Sequence, residues 1–315
     1  MNFNKVCEVQ YYMRKFLPKI KLCACLMICI AICIAVPCIA FADKKNKANA
    51  TRDKVVLRIW QIDCFEGGKG SRADFLQNIG NDYSESVNGY VTVLSLSATA
   101  AVKNLSEGNI PDLISYGAGI CGIENYIGSY VQWCYGSYCF LTLDTSADFS
   151  DINNKNTVVN AGKDNYAKAA ALFSGLSGAV EEKPTGAYVS LINGKYKYLL
   201  GTQRDVFRLK TRGVSFAVKP IEEYNDLYQN ISISAKGERA KIAQRFIDYL
   251  LTRRQELNRI GMLSEEGGLY DDEMRALEGV GYKYKLTTPI SSNTKSEIEK
   301  YISDGNINKL KNLFK

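Results

Sequence analysis

From Val55 to Gly117 the chain alternates short β-branched runs with amphipathic stretches, and no other feature of the sequence restricts its folding as much. Val55-Val56-Leu57-Arg58-Ile59-Trp60 reads as a buried strand. The glycine-rich loop Asp63–Gly70 follows. Ser71 then opens a helix, with Asp74 three positions on in the manner of a capping box. Phe75, Leu76, Ile79, Tyr83 and Val87 recur at helical spacing on its buried face. A second strand spans Tyr90–Leu96, and a helix of small residues covers 98–107. Gly108 ends that helix, and Pro111–Gly117 makes a third strand. This order predicts a parallel sheet with helices packed on its faces. Ligands of such sheets sit beyond the carboxyl ends of the strands, here Asp63–Gly70 and Tyr116–Gly119.

That rule selects candidate ligand-binding residues. Asp63, Glu66, Gly67 and Lys69 lie in a tight loop at a helix amino terminus, suited to a polar or anionic group. The loop is not a nucleotide-phosphate motif, because Gly70 stands where Ser or Thr is required after Lys69. Its plainer reading is a connecting turn. Tyr116, Trp133 and Tyr138 offer flat faces for stacking on a ring, against which stands ordinary core packing. Gln203, Arg204 and Asp205 follow a strand as a polar cluster, with Arg204 a fork-shaped donor to hydroxyls or a carboxylate. The rival reading there is a surface loop with an internal Arg204–Asp205 pair.

Further along, 138–143 and 156–160 read as strands and 164–173 as a helix. Ala187–Ile192, Asn193-Gly194 and Tyr196–Gly201 spell a hairpin, since Asn-Gly suits the positive φ angles of a two-residue turn. Phe216–Val218 and Ile231–Ser234 are further strands. Glu238–Leu251 is a helix with Ala243, Phe246, Ile247, Leu250 and Leu251 along one stripe, and amphipathic helix closes the chain from Ser296.

The sequence contains no His, which removes the usual general base, the Ser-His and Cys-His pairs and the commonest metal ligand. Charge is uneven. Lys5, Arg14, Lys15, Lys19 and Lys21 against Glu8 leave only +3 of the formal +7 for everything after Ala42. Nucleic-acid binding needs a concentrated basic surface, which is missing.

The basic stretch to Lys21, the apolar run Leu22–Val36, Pro37 and then Ala40-Phe41-Ala42 read as a secretory signal over residues 1–42, cut after Ala42. An uncleaved anchor is the competing reading. None of the cysteines in this segment sits in a good lipobox. Cys64, Cys121, Cys134 and Cys139 remain beyond it, as buried thiols or with one disulfide. Their spacing, without His, does not suit zinc.

Three segments together resemble the extracellular solute-binding proteins of ABC transporters, especially the large carbohydrate-associated group. They are Leu57-Arg58-Ile59-Trp60 with its loop and helix, Ala101–Tyr116 with Gly108-Asn109-Ile110-Pro111-Asp112, and Ala243–Met262 with Phe246-Ile247, Leu250-Leu251, Gln255 and Gly261. The resemblance implies a two-lobed α/β fold, periplasmic-binding-protein-like, with a ligand cleft between the lobes. It divides the exported chain into a first-lobe segment at 43–120, a second lobe at 121–212, and a return to the first lobe with C-terminal helices at 213–315. Removing residues 1–42 leaves 273 residues, fewer than most relatives, so the second lobe is expected to be abbreviated. It further implies a monomeric, non-catalytic receptor outside the cytoplasmic membrane, without cofactor or metal. Such a receptor binds a small molecule, a carbohydrate by preference, and passes it to ABC permease subunits. Two rivals carry other expectations: a membrane-associated or secreted interaction protein that keeps only the fold, and a glycoside hydrolase using Asp63 with Glu66 or Asp205 with Asp226.

Overall fold

The computed structural model describes residues 55–65, 67–162 and 166–314. β1 (Val55–Ile62), β2 (Gly89–Leu96) and β3 (Leu113–Gly117) lie parallel in one sheet of order β2-β1-β3-β11-β4. β4 (Tyr130–Tyr135) and β11 (Tyr228–Ile233) complete it, β11 running antiparallel to both its neighbours. The crossovers are α1 (Arg72–Val87) and α2 (Ala98–Ser106). Strand alternation decides which residues meet each helix. Leu57 and Ile59 pack with Phe75, Leu76, Ile79 and Tyr83 of α1, while Trp60 and Ile62 pack with Ala101 and Leu105 of α2. Ser71 caps α1 as its sequence predicts, accepting the Asp74 N–H at 3.2 Å.

The second sheet has the order β7-β6-β8-β5-β9. It is built from β5 (Tyr138–Thr142), β6 (Thr157–Asn160), β7 (Val180–Glu182), β8 (Tyr198–Thr202) and β9 (Ala217–Pro220). These strands are three to five residues long, against eight in β1 and β2. α3 (Ala167–Phe173), α4 (Pro184–Ile192) and α5 (Gln203–Thr211) accompany them. The chain passes between the sheets at Gly136-Ser137 and returns through 221–227, where β10 (Tyr224–Asn225) pairs with β12 (Tyr284–Lys285). The two crossings touch: Gly136 N–H donates to Leu227 O at 2.6 Å and Asn225 Nδ2 donates to Gly136 O at 2.9 Å. α6 (Glu238–Thr252), α7 (Ser292–Ser303) and α8 (Ile307–Leu313) follow.

Two expectations need correction. Residues 187–201 do not form a hairpin. Pro184 starts a helix at the position where its missing N–H costs nothing, and Ala187, Tyr188 and Leu191 bury one helical face. Asn193-Gly194 ends that helix, Gly194 taking φ 68° as a left-handed terminus does. β8 then pairs parallel with β6 and antiparallel with β5. Gln203–Asp205 is likewise not a loop but the first turn of α5. Thr202 and Asp205 form a reciprocal capping box there.

Candidate functional site

The carboxyl ends of β1 and β3 and the amino end of α2 share one rim of the first sheet. Ser97 caps α2, its hydroxyl accepting the Ala100 N–H at 3.2 Å, and so sets Thr99 at that rim. After β3 the chain turns at Gly119, whose φ of 75° lies in the left-handed region. A Cβ there would lie 3.1 Å from Leu286 Cδ2 and 3.2 Å from Tyr166 Cε2, so a side chain would be crowded as well as strained. The segment after β12 is stitched to this turn. Gly119 N–H donates to Thr288 O at 3.0 Å and Ile290 N–H to Ile120 O at 2.9 Å, which brings α7 alongside.

These elements enclose a cavity of about 500 Å³, walled by Cys64, Thr99, the Gly119–Gly122 turn, Tyr166 and the Ser292, Lys295 and Glu299 face of α7. A second cavity of about 480 Å³, at the end of β6 and the start of α3, shares Tyr166 and Glu299 with the first. Tyr166 is fixed by a buried carboxylate. Asp226 accepts the Tyr166 N–H at 3.0 Å and the Tyr138 hydroxyl at 2.8 Å. Burial pushes the Asp226 carboxyl up to about 6. In the second cavity Lys168 and Glu181 pair at 2.7 Å. Lys295 and Glu299 pair with no side chain among the described residues. Among those residues no cluster of three His, Cys, Asp or Glu side chains is placed to hold a metal ion.

The residues singled out from sequence fall into three groups. Asp63 stands beside Cys64 at the rim, held by Arg72 Nη2 at 3.0 Å, Gln61 Nε2 at 3.1 Å and Ser95 Oγ at 3.2 Å. Lys69 and Arg204 belong to a contact between the lobes that lines neither cavity, while Gly67 lies against the Arg72 guanidinium. Lys69 N–H donates to Ile260 O at 3.0 Å, and Arg204 Nη1 donates to Gly68 O at 3.1 Å. Tyr116, Trp133, Tyr138, Gln203 and Asp205 are buried. Trp133 stacks on Phe75 at 5.8 Å. Gln203 accepts the Ser137 N–H at 3.0 Å at the first crossing, and Asp205 pairs with Arg208 at 2.9 Å rather than with Arg204. Glu66 lies outside the described residues.

Sequence reasoning missed Thr99, Cys64, Cys121, Tyr166, Lys295 and Glu299 as cavity walls. Thr99 was accessible to the rule that names strand ends, applied after β2. The two α7 residues carry no local signal, because Lys and Glu four apart on a helix read as a solvated face. Also unforeseen is a buried chain of hydrogen bonds beneath the rim. Arg72 donates to Gln229 Oε1 at 2.8 Å and Phe65 O at 2.8 Å, while Gln229 Nε2 and Trp133 Nε1 each donate to Ser115 Oγ at 3.0 Å.

No family model matches the chain, and no curated protein does. Solved structures do. A cyclo/maltodextrin-binding protein complexed with maltotetraose is similar at a TM-score of 0.52 and 11% identity, over 82% of this chain and 94% of that one. Iron-bound HitA from Pseudomonas aeruginosa is similar at 0.50 and 11% identity, over 80% and 99%. The chain has the two-lobed periplasmic-binding-protein fold. A protein described as mediating signal transduction in a two-component system is also similar to it, at 0.52 and 11% identity, over 79% and 100%. In a binding-protein fold each sheet is the centre of one lobe. The 500 Å³ cavity therefore lies where the rim of the first lobe faces Tyr166 of the second.

Proposed function

We propose that this chain is an extracytoplasmic solute-binding receptor. It captures a small ligand in the cleft between its lobes and passes it, without turnover, to the permease subunits of an ABC importer. The observation that carries this reading is the cavity at the carboxyl ends of β1 and β3, the place where open parallel sheets bind ligands. Its volume of about 500 Å³ falls within the roughly 300–1,000 Å³ usual for small-molecule sites. Export rests on the sequence, with cleavage after Ala42, a position outside the described residues. Among the described residues no helix is long and apolar enough to cross a membrane.

The hydrolase reading finds little support. Asp205 and Asp226 are buried and committed to Arg208 and Tyr138, and Asp63 is ion-paired to Arg72 at 3.0 Å. Carbohydrate, the class favoured by resemblance, lacks the stacking faces expected of Trp133 and Tyr138, which are in the core. Tyr166 is the aromatic residue at the cavity wall. A thermal-shift screen of the full-length chain against sugars, amino acids, oligopeptides and oxyanions tests the receptor reading. A saturable rise in melting temperature without chemical change of the solute supports it. Turnover of a bound solute, or no shift across all four classes, defeats it.

A further inference from the structure

The 500 Å³ cavity owes one wall to α7, through Ser292, Lys295 and Glu299. The tail that carries this helix is pinned at each end and hardly at all between. At its start Leu286 and Ile290 are buried, and Ile290 N–H donates to Ile120 O of the first lobe at 2.9 Å. At its far end Leu310 and Phe314 are buried. The Phe314 ring lies 5.1 Å from that of Tyr224 and 6.2 Å from that of Phe173, the last residue of α3 in the second lobe. Lys285 N–H donates to Phe314 O at 3.2 Å. Within α7 itself, Ile298 alone is buried.

We propose that α7–α8 is a strap that gates entry to the 500 Å³ cavity, opening by release of its Phe314 end while the lobes stay fastened to each other. This goes beyond the receptor reading and depends on no particular solute. α7 has 12 residues and α8 has 7, and helices so short are marginal alone. Their folded state therefore rests on the anchors at either end. Segments with few buried apolar contacts are the ones that open locally, and α7 is such a segment. The opposite flank of the cleft is held. There Arg204 Nη1 reaches Gly68 O at 3.1 Å, and the Phe207 ring presses on Gly261, where a Cβ would lie 2.3 Å from Phe207 Cε2. The α7 flank is left as the way in.

Two measurements on the full-length chain test the strap, with Phe314→Ala as the release and Phe314→Leu as a milder one. Hydrogen exchange read by mass spectrometry reports on the tail. Phe314→Ala is expected to speed exchange across 292–313 by about a hundredfold or more, as for loss of a buried aromatic ring, and to leave β1 and β8 unchanged. Alkylation by N-ethylmaleimide reports on entry. Cys64 is a buried thiol on the cavity wall, and Cys134 is a buried thiol that lines neither cavity. Labelling of a transiently opened site follows the open population, so Cys64 should react at least about tenfold faster in Phe314→Ala. Phe314→Leu should act in the same direction and less, and Cys134 should be unaffected by either. Equal acceleration at Cys64 and Cys134, or loss of the fold in both variants, makes Phe314 an anchor of the whole molecule and overturns the strap. Unchanged exchange in the tail overturns it too. So does faster tail exchange with Cys64 unchanged, because the tail then opens without admitting anything.

Discussion

Arg204 Nη1 donates to the carbonyl oxygen of Gly68 at 3.1 Å, joining residues 136 positions apart and the two lobes of the fold. The contact is tight on the Gly68 side, where a Cβ would lie 2.1 Å from Ile260 O. Beside it Lys69 Nζ sits 5.1 Å from the centre of the Phe207 ring, on the same helix as Arg204. The glycine-rich loop is thus clasped between α5 and the Ile260-Gly261 turn. Arg204→Ala should destabilise the protein by about 1–3 kcal/mol, the range for a buried polar group left without its partner. Urea unfolding measures this, and an unchanged midpoint would show that the clasp contributes nothing.

Arg72 is almost wholly buried, with 3% of its side chain exposed, while its partner Asp63 is half exposed. Replacing Arg72 by Met would leave Gln229 Oε1 and Phe65 O without their donor in the interior. A loss of about 3 kcal/mol or more is expected, as for other broken buried charge networks. Gln229→Ala in the same background should add little, because the two residues act as one unit. A double-mutant cycle by chemical denaturation decides it; full additivity would mean the network is not coupled.

The buried Asp226 gives stability a pH dependence with a definite sign. Burial holds its folded carboxyl up at about 6, above the roughly 3.9 of an unfolded Asp, so between those values the folded state holds more protons than the unfolded chain. Stability from this group is therefore greatest at low pH, falls as pH rises from about 4 to about 6, and is level above that. A shift of this size corresponds to roughly 3 kcal/mol. Unfolding midpoints from pH 4 to 7 should show the decline in the wild type and a shallower one in Asp226→Asn. Parallel curves would assign the slope to other groups.

Among the described residues β2 is an edge strand of the first sheet, and Gln77 guards that edge. Its Nε2 donates to Val91 O at 2.9 Å and its Oε1 accepts the Val93 N–H at 2.9 Å, so one side-chain amide occupies the bonds a neighbouring strand would make. The same edge strand exposes Tyr90 at 52% and Leu94 at 53%. Unprotected edges of this kind invite pairing with another chain. Gln77→Ala should therefore associate in a concentration-dependent way in sedimentation velocity where the wild type does not, and equal behaviour of the two would remove the guarding role.

The first lobe is legible in the sequence because each of its early elements is specified locally. β1, α1, β2, α2 and β3 each carry their own periodicity, and Ser71 marks its helix start without help from distant residues. The second lobe is harder to read because Asn193-Gly194 serves a helix end as well as a hairpin. Pro184, which settles the matter, lies nine residues upstream. The site is the least legible part. Its walls come from strand ends, from Tyr166 and from a helix near the chain end, brought together by contacts such as Gly119 to Thr288 that no local pattern encodes. Aromatic residues flanked by glycine and cysteine attract notice as stacking platforms, but burial is the commoner fate of a Trp or Tyr within a strand.

The position of β11 between β3 and β4 has a consequence for the order of assembly. All five strands of the second sheet lie within residues 138–220, so that lobe is complete as soon as one continuous stretch has emerged. The first sheet is not: β3 and β4 have no strand between them until Ile233 has been synthesised. A lobe begun first is thus finished last, and its two half-built edges wait through the making of nearly a hundred residues. Closing so distant a pairing is slow, and exposed edges are the hazard of such waiting. A chain of this design gains from any holding partner that keeps its early strands apart until β11 has been made.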